Sequence, residues 1–153
     1  MWRLGVKANS VTLLGCGADN AYSGAPLNTG SIGFYISGTS TDTTLDNCQA
    51  AAQEVCGAYV NTTGGVQTKI AGFSAWGGDS GTDGILIDSG DVTIIGGIIR
   101  SQNNGVRVTS TGMRVFVDGV RFETILNKPI LASSPSSLVF LGDSIDYSNF
   151  TGS

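Results

Sequence analysis

The chain is predicted to be all-β, a right-handed parallel β-helix of about five stacked rungs. Three observations predict it. A glycine-centred strand motif returns at a near-constant interval, a second strand motif alternates with it, and the composition is that of short strands and tight turns. The 153 residues include 23 glycines and only three prolines, and 13% are charged. Such a length suits a single domain, spanning residues 1–153, with room for a sizeable core.

The first motif is an apolar-x-apolar-x-Gly block that continues apolar-x-apolar. It reads Thr68-Lys69-Ile70-Ala71-Gly72-Phe73-Ser74-Ala75, then Val92-Thr93-Ile94-Ile95-Gly96-Gly97-Ile98-Ile99. Further copies surround Gly119 and Gly142, and an earlier one runs Val11-Thr12-Leu13-Leu14-Gly15. The glycines Gly72, Gly96, Gly119 and Gly142 are 24, 23 and 23 residues apart. A second motif, Gly-apolar-x-apolar-polar, appears as Gly33-Phe34-Tyr35-Ile36-Ser37, Gly84-Ile85-Leu86-Ile87-Asp88 and Gly105-Val106-Arg107-Val108-Thr109, with a weaker copy at Lys128-Pro129-Ile130-Leu131-Ala132. Two strand segments per repeat and no long helix describe one coil of a solenoid. Leucine-rich repeats share the length but not the signature. Alternation along each strand then predicts inner columns: Phe73, Gly97, Val120 and Asp143 in one, Ala75, Ile99, Phe122 and Ile145 in the next.

Residues 38–66 break the period. Within them Leu45, Cys48, Ala52 and Val55 fall at helical spacing, with Thr43 or Thr44 to cap the start and Gly57 to end it. This predicts a short helix laid on the solenoid, covering exposed core or forming one wall of a groove. Cys48 and Cys56 would then lie too far apart on that helix for a disulfide, and Cys16 would be a small core residue. Leu4 and Val6 read as a strand remnant, so the chain is expected to be a section of a longer solenoid.

Composition also excludes functions. There is no histidine, which removes His-based triads and zinc sites. Eight basic against twelve acidic residues, a net charge of −4, do not suit a general nucleic-acid grip. No run of about 18 apolar residues suggests a membrane span, and the N-terminus lacks the apolar core of a signal peptide. No cofactor is expected. The acidic turn from Gly77 to Asp83 has carboxylates that could hold calcium, but its spacing does not match the EF-hand loop and it reads best as turn chemistry.

The repeated blocks, together with Asn104-Gly105-Val106-Arg107-Val108, resemble the pectate-lyase-like right-handed β-helices and, in their Ser/Thr/Asn/Gly-rich texture, the bacteriophage tailspikes. That resemblance implies a homotrimer located in a phage tail that binds host lipopolysaccharide or capsule, in many cases cleaving it with paired carboxylates. The calcium-dependent lyase constellation of Asp, Arg and Lys cannot be placed on this sequence.

Surface columns follow from the same alignment. Four residues after the repeat glycines come Trp76, Arg100, Glu123 and Asp146, with Asp19 at the matching place after Gly15. Two residues after them come Ser74, Ile98, Arg121 and Ser144. An aromatic, two arginines and several carboxylates in one outward stripe suit a sugar chain, with Trp76, Arg100, Arg121 and Asp19 as glycan contacts. Glu123 and Asp146 are the candidate acid and base, since glycoside hydrolysis uses two carboxyls about 5 to 9.5 Å apart. Arg100 beside Glu123 is more often a surface ion pair between rungs, worth little. Three functions therefore fit: a glycan-binding module, a glycan-cleaving enzyme, and a structural virion rod.

Overall fold

The computed structural model of the chain describes residues 10–19, 30–39, 42–63, 67–77, 82–133, 138–142 and 146–148. Leu4, Val6, Asp79, Asp143, Ser144 and Ile145 lie outside them. The described chain is a parallel β-helix built from fifteen strands. In order they are β1 (Ser10–Leu14), β2 (Gly17–Asp19), β3 (Ile32–Gly38), β4 (Asp42–Asp46) and β5 (Gln49–Ala51). Then come β6 (Cys56–Thr62), β7 (Gln67–Trp76), β8 (Asp83–Ser89), β9 (Asp91–Arg100) and β10 (Asn104–Val108). The last five are β11 (Arg114–Asp118), β12 (Arg121–Glu123), β13 (Lys128–Ala132), β14 (Leu138–Leu141) and β15 (Asp146–Ser148).

Every strand pairs in parallel with its counterpart one coil away, forming three ladders. The first runs β1-β4-β7-β9-β11-β14. A second, formed by β2, β5, the ends of β7 and β9, β12 and β15, continues it around a corner. The third runs β3-β6-β8-β10-β13, so four turns separate its first strand from its last.

Two sets of left-handed corners flank the second ladder. The first lies at Gly15, Asn47, Gly72, Gly96 and Gly119, all at positive φ. The second lies at Ala52, Gly77, Ser101 and Thr124, also at positive φ. Glycine at the first corner is what makes the repeat legible. Gly97 carries a further demand, because a Cβ there would sit 2.0 Å from the Phe73 carbonyl oxygen.

The predicted helix within 38–66 is not formed. These residues make a regular coil of β4, β5 and β6, in register with the coils on both sides. The helical spacing arises because the Asn47 corner interrupts strand alternation, so inward Leu45 and Cys48 fall three apart, as on a helix. The ladder's backbone bonds override the helix preference of the Ala- and Gln-rich stretch. Asn47 takes the place of the repeat glycine, since asparagine tolerates the left-handed region. Cys48 consequently stands on the inner corner column next to Cys16, and Cys56 begins β6 on another ladder.

The interior is largely aliphatic. Leu45, Ile70, Ile94 and Val117 stack in one column, and Ala50, Ala75, Ile99 and Phe122 in another, all buried. Phe73, Val120 and this second column occupy the predicted inward positions. Opposite them, Gly57, Gly84 and Gly105 of the third ladder supply depth: a Cβ on Gly105 would lie 2.3 Å from the Phe122 ring, and one on Gly84 would lie 2.4 Å from Ile99. The second sequence motif therefore begins with glycine because the growing side chains of the second ladder press against it.

Candidate functional site

The second ladder is only three residues wide, so its two outward positions form narrow parallel columns along the axis. Register places Asp19 opposite Ala51, Ala51 opposite Trp76, and Arg100 opposite Glu123. Ala75 pairs with Ile99, which puts Trp76 beside Arg100. The stripe of Asp19, Trp76, Arg100 and Glu123 is thus one column, as the repeat implied. The neighbouring column runs Gly17, Gln49, Ser74, Ile98 and Arg121.

Asp146 departs from the expected place. It pairs with Arg121, and Ser148 stands opposite Glu123. The step from β12 to β15 is 25 residues, from Arg121 to Asp146, where the glycine spacing suggested 23. Gly142 follows Leu141, which pairs with Val117, and so faces Asp118 rather than Gly119. The two candidate catalytic residues therefore belong to adjacent columns.

The charged groups of the stripe are matched to one another. The guanidinium carbon of Arg100 lies 5.6 Å from the centre of the Trp76 ring, a cation–π approach. Arg121 forms an ion pair with Glu123 two residues along the same strand. The Arg121 side chain is 52% exposed and that of Glu123 is 18% exposed, so the guanidinium faces outward above a carboxylate partly sunk against the ladder. Such a surface offers an aromatic ring, exposed Arg donors and a fixed acceptor within three coils, each about 4.8 Å from the next. These are groups for binding hydroxyls and acidic substituents.

Compared with family models, curated proteins and solved structures, the chain finds no match.

A second constellation lies where the repeat spacing gave no warning of it. Tyr35 on β3 and Tyr59 on β6 are register partners on the outer face of the third ladder, with ring centres 5.1 Å apart and planes tilted by 37°. The Tyr59 hydroxyl donates to Asp88 at 3.2 Å, and Asp88 also accepts from Thr109 at 2.7 Å and Ser110 at 3.0 Å. These hydrogen bonds, that from Thr109 foremost, hold the Asp88 carboxyl below its ordinary range. Burial, with the Asp88 charge adding to it, pushes the Tyr59 hydroxyl up. The one available signal is Gly57-Ala58-Tyr59-Val60-Asn61, a further copy of the second motif concealed within residues 38–66.

Asp83, from the acidic turn, is buried. It accepts from the Asn104 amide at 2.7 Å and lies 3.6 Å from Arg107. Burial raises its carboxyl pKa, and the Asn104 hydrogen bond and the Arg107 charge partly offset that. Asn127 donates in turn to Asn104 at 2.9 Å, extending the network across coils. This arrangement holds the turns between the second and third ladders together.

Proposed function

We propose that the chain is a tailspike-type β-helix module that binds host surface polysaccharide along the outer face of its second ladder. One observation carries the reading. Trp76, Arg100 and Glu123 stand on successive coils in one outward column with Arg121 beside them, a linear array that suits a linear ligand. The aromatic ring would stack on a pyranose face, and the arginines would hold hydroxyl, carboxylate or phosphate groups of the chain. Asp19 extends the same column toward the first coil.

The resemblance to tailspikes supports lipopolysaccharide or capsule as the polymer, a place in the phage tail, and a homotrimer. Exposed Phe116 and Phe140, adjacent on the first ladder, are the apolar groups that a trimer contact would cover. Binding rather than cleavage is favoured, because Glu123 is engaged by Arg121 and Asp146 lies in the neighbouring column.

The test is incubation with a panel of bacterial lipopolysaccharides and capsules, following retention of polymer and release of short fragments. Retention by the wild type and its loss in Trp76→Ala and Arg121→Ala are expected. Fragment release that vanishes in Glu123→Gln would replace binding with hydrolysis. Absence of both retention and release would leave the structural rod as the reading.

A further inference from the structure

We propose that the outer face of the third ladder carries a separate saccharide subsite, in which Tyr35 and Tyr59 form the platform and Asp88 accepts hydroxyl hydrogens of a neutral sugar unit. It extends glycan recognition to another face and does not rest on the Trp76 stripe.

The platform is open. Tyr35 is 58% exposed, and its ring leans on that of Tyr59 one coil away, so the two extend an aromatic surface along the axis. Leu86 continues the same outward column beyond Tyr59. Aromatic faces of this kind pack against the C–H faces of pyranose rings.

A polar wall borders the platform. Asp88 is fixed by three hydroxyl donors, from Tyr59, Thr109 and Ser110. A carboxylate can accept about four hydrogen bonds, so acceptor capacity is left for a ligand hydroxyl. Beyond it opens a hollow of about 690 Å³ whose lining includes Thr62, Asp88, Ser89, Asp91, Ser110 and Arg114. Asp91 pairs with Arg114, with contacts of 3.1 Å from Nε and 2.5 Å from a terminal nitrogen, so this cation is offset by its own carboxylate and Asp88 adds a further negative charge. Two carboxylates and a wall of hydroxyls disfavour an anionic ligand and suit one that both donates and accepts hydrogen bonds. A neutral hexose or N-acetylhexosamine has that character.

The geometry assigns distinct roles. Tyr35 supplies stacking area, Asp88 takes the hydroxyl contact, and Tyr59 both stacks and positions Asp88. Saturation-transfer NMR with short neutral oligosaccharides of glucose, galactose and N-acetylglucosamine tests this on the intact chain. Binding by the wild type should weaken at least about tenfold, close to the loss of one good contact, in Tyr35→Ala and in Asp88→Asn. Lys69→Ala, on the first ladder, should leave it unchanged, and Tyr59→Phe should weaken it less than Asp88→Asn. Exposed Tyr35 can be truncated without opening the core, and thermal unfolding checks that each variant is folded. No binding by the wild type, or undiminished binding in Tyr35→Ala and Asp88→Asn, overturns the proposal. Trp76→Ala reads the other face separately: loss there alone would support the stripe and contradict this subsite.

Discussion

Arg100 rests over the ring of Trp76, 24 residues earlier in the chain and one coil away in space, with its guanidinium carbon 5.6 Å from the ring centre. The pairing ties an exposed cation of the stripe to its aromatic group. Contacts of this kind at exposed sites are worth about 0.5–1 kcal/mol. Arg100→Ala should therefore lower stability by no more than about 1 kcal/mol while uncovering the indole face. Urea unfolding checks the first part, and a changed Trp76 emission checks the second. A much larger loss would mean that Arg100 braces the ladder itself.

The first corner and the residue after it distinguish two kinds of glycine. Gly15 has φ +64 with open space where a Cβ would lie, whereas at Gly97, with φ +104, a Cβ would collide with the Phe73 backbone. Gly15→Ala should cost about 1–2 kcal/mol, the ordinary penalty for a left-handed alanine. Gly97→Ala should cost at least about 3 kcal/mol, since steric overlap adds to backbone strain. The difference in urea midpoint between the two variants is the readout.

Thr68 occupies an inward column between Thr43 and Val92, and its buried hydroxyl makes no hydrogen bond. A buried unsatisfied hydroxyl costs about 1–3 kcal/mol. Thr68→Val should stabilise the chain by about 1 kcal/mol, raising the urea midpoint. A loss of stability would show that the hydroxyl has a partner in solution.

Asp83 and Asp88 should respond to pH with opposite signs. Burial raises Asp83 above its unfolded value of about 3.9, so the unfolded chain releases this proton first. Its contribution is fully present below the unfolded value and is lost as pH rises through the folded one. Asp88 is lowered by its hydroxyl donors, so its contribution is present above about 3.9 and is lost as pH falls through the folded value. Stability measured in urea from acid to neutral pH should lose its decline above about pH 4 in Asp83→Asn. Asp88→Asn should instead flatten the acid limb.

Much of this was legible in the residues. Gly72, Gly96 and Gly119 marked one corner because the left-handed turn demands little side chain there, and the columns through Ala75, Ile99 and Phe122 followed from alternation alone. The same device failed where the corner is held by other residues. Asn47 replaces a glycine, and Ala52, Ser101 and Thr124 hold the second corner with no common side chain, so one whole coil looked like a helical excursion. Tyr59 lies on that coil, so its place on the third ladder is hidden with it. Asp146 falls two positions from the place the motif marks: Gly142 matches the motif but sits one position away in register, and the step on to Asp146 adds a second. The ion pair of Arg121 with Glu123 and the stacking of Arg100 on Trp76 depend on side-chain directions that no repeat spacing specifies.

Hydroxyl-radical footprinting of the chain, free and with the surface polysaccharide it retains best, tests the central claim most directly. Bound polymer should reduce oxidation of Trp76 several-fold and leave exposed Leu14, on the first ladder, as reactive as before. Unchanged oxidation of Trp76 with polymer bound would contradict recognition along the second ladder.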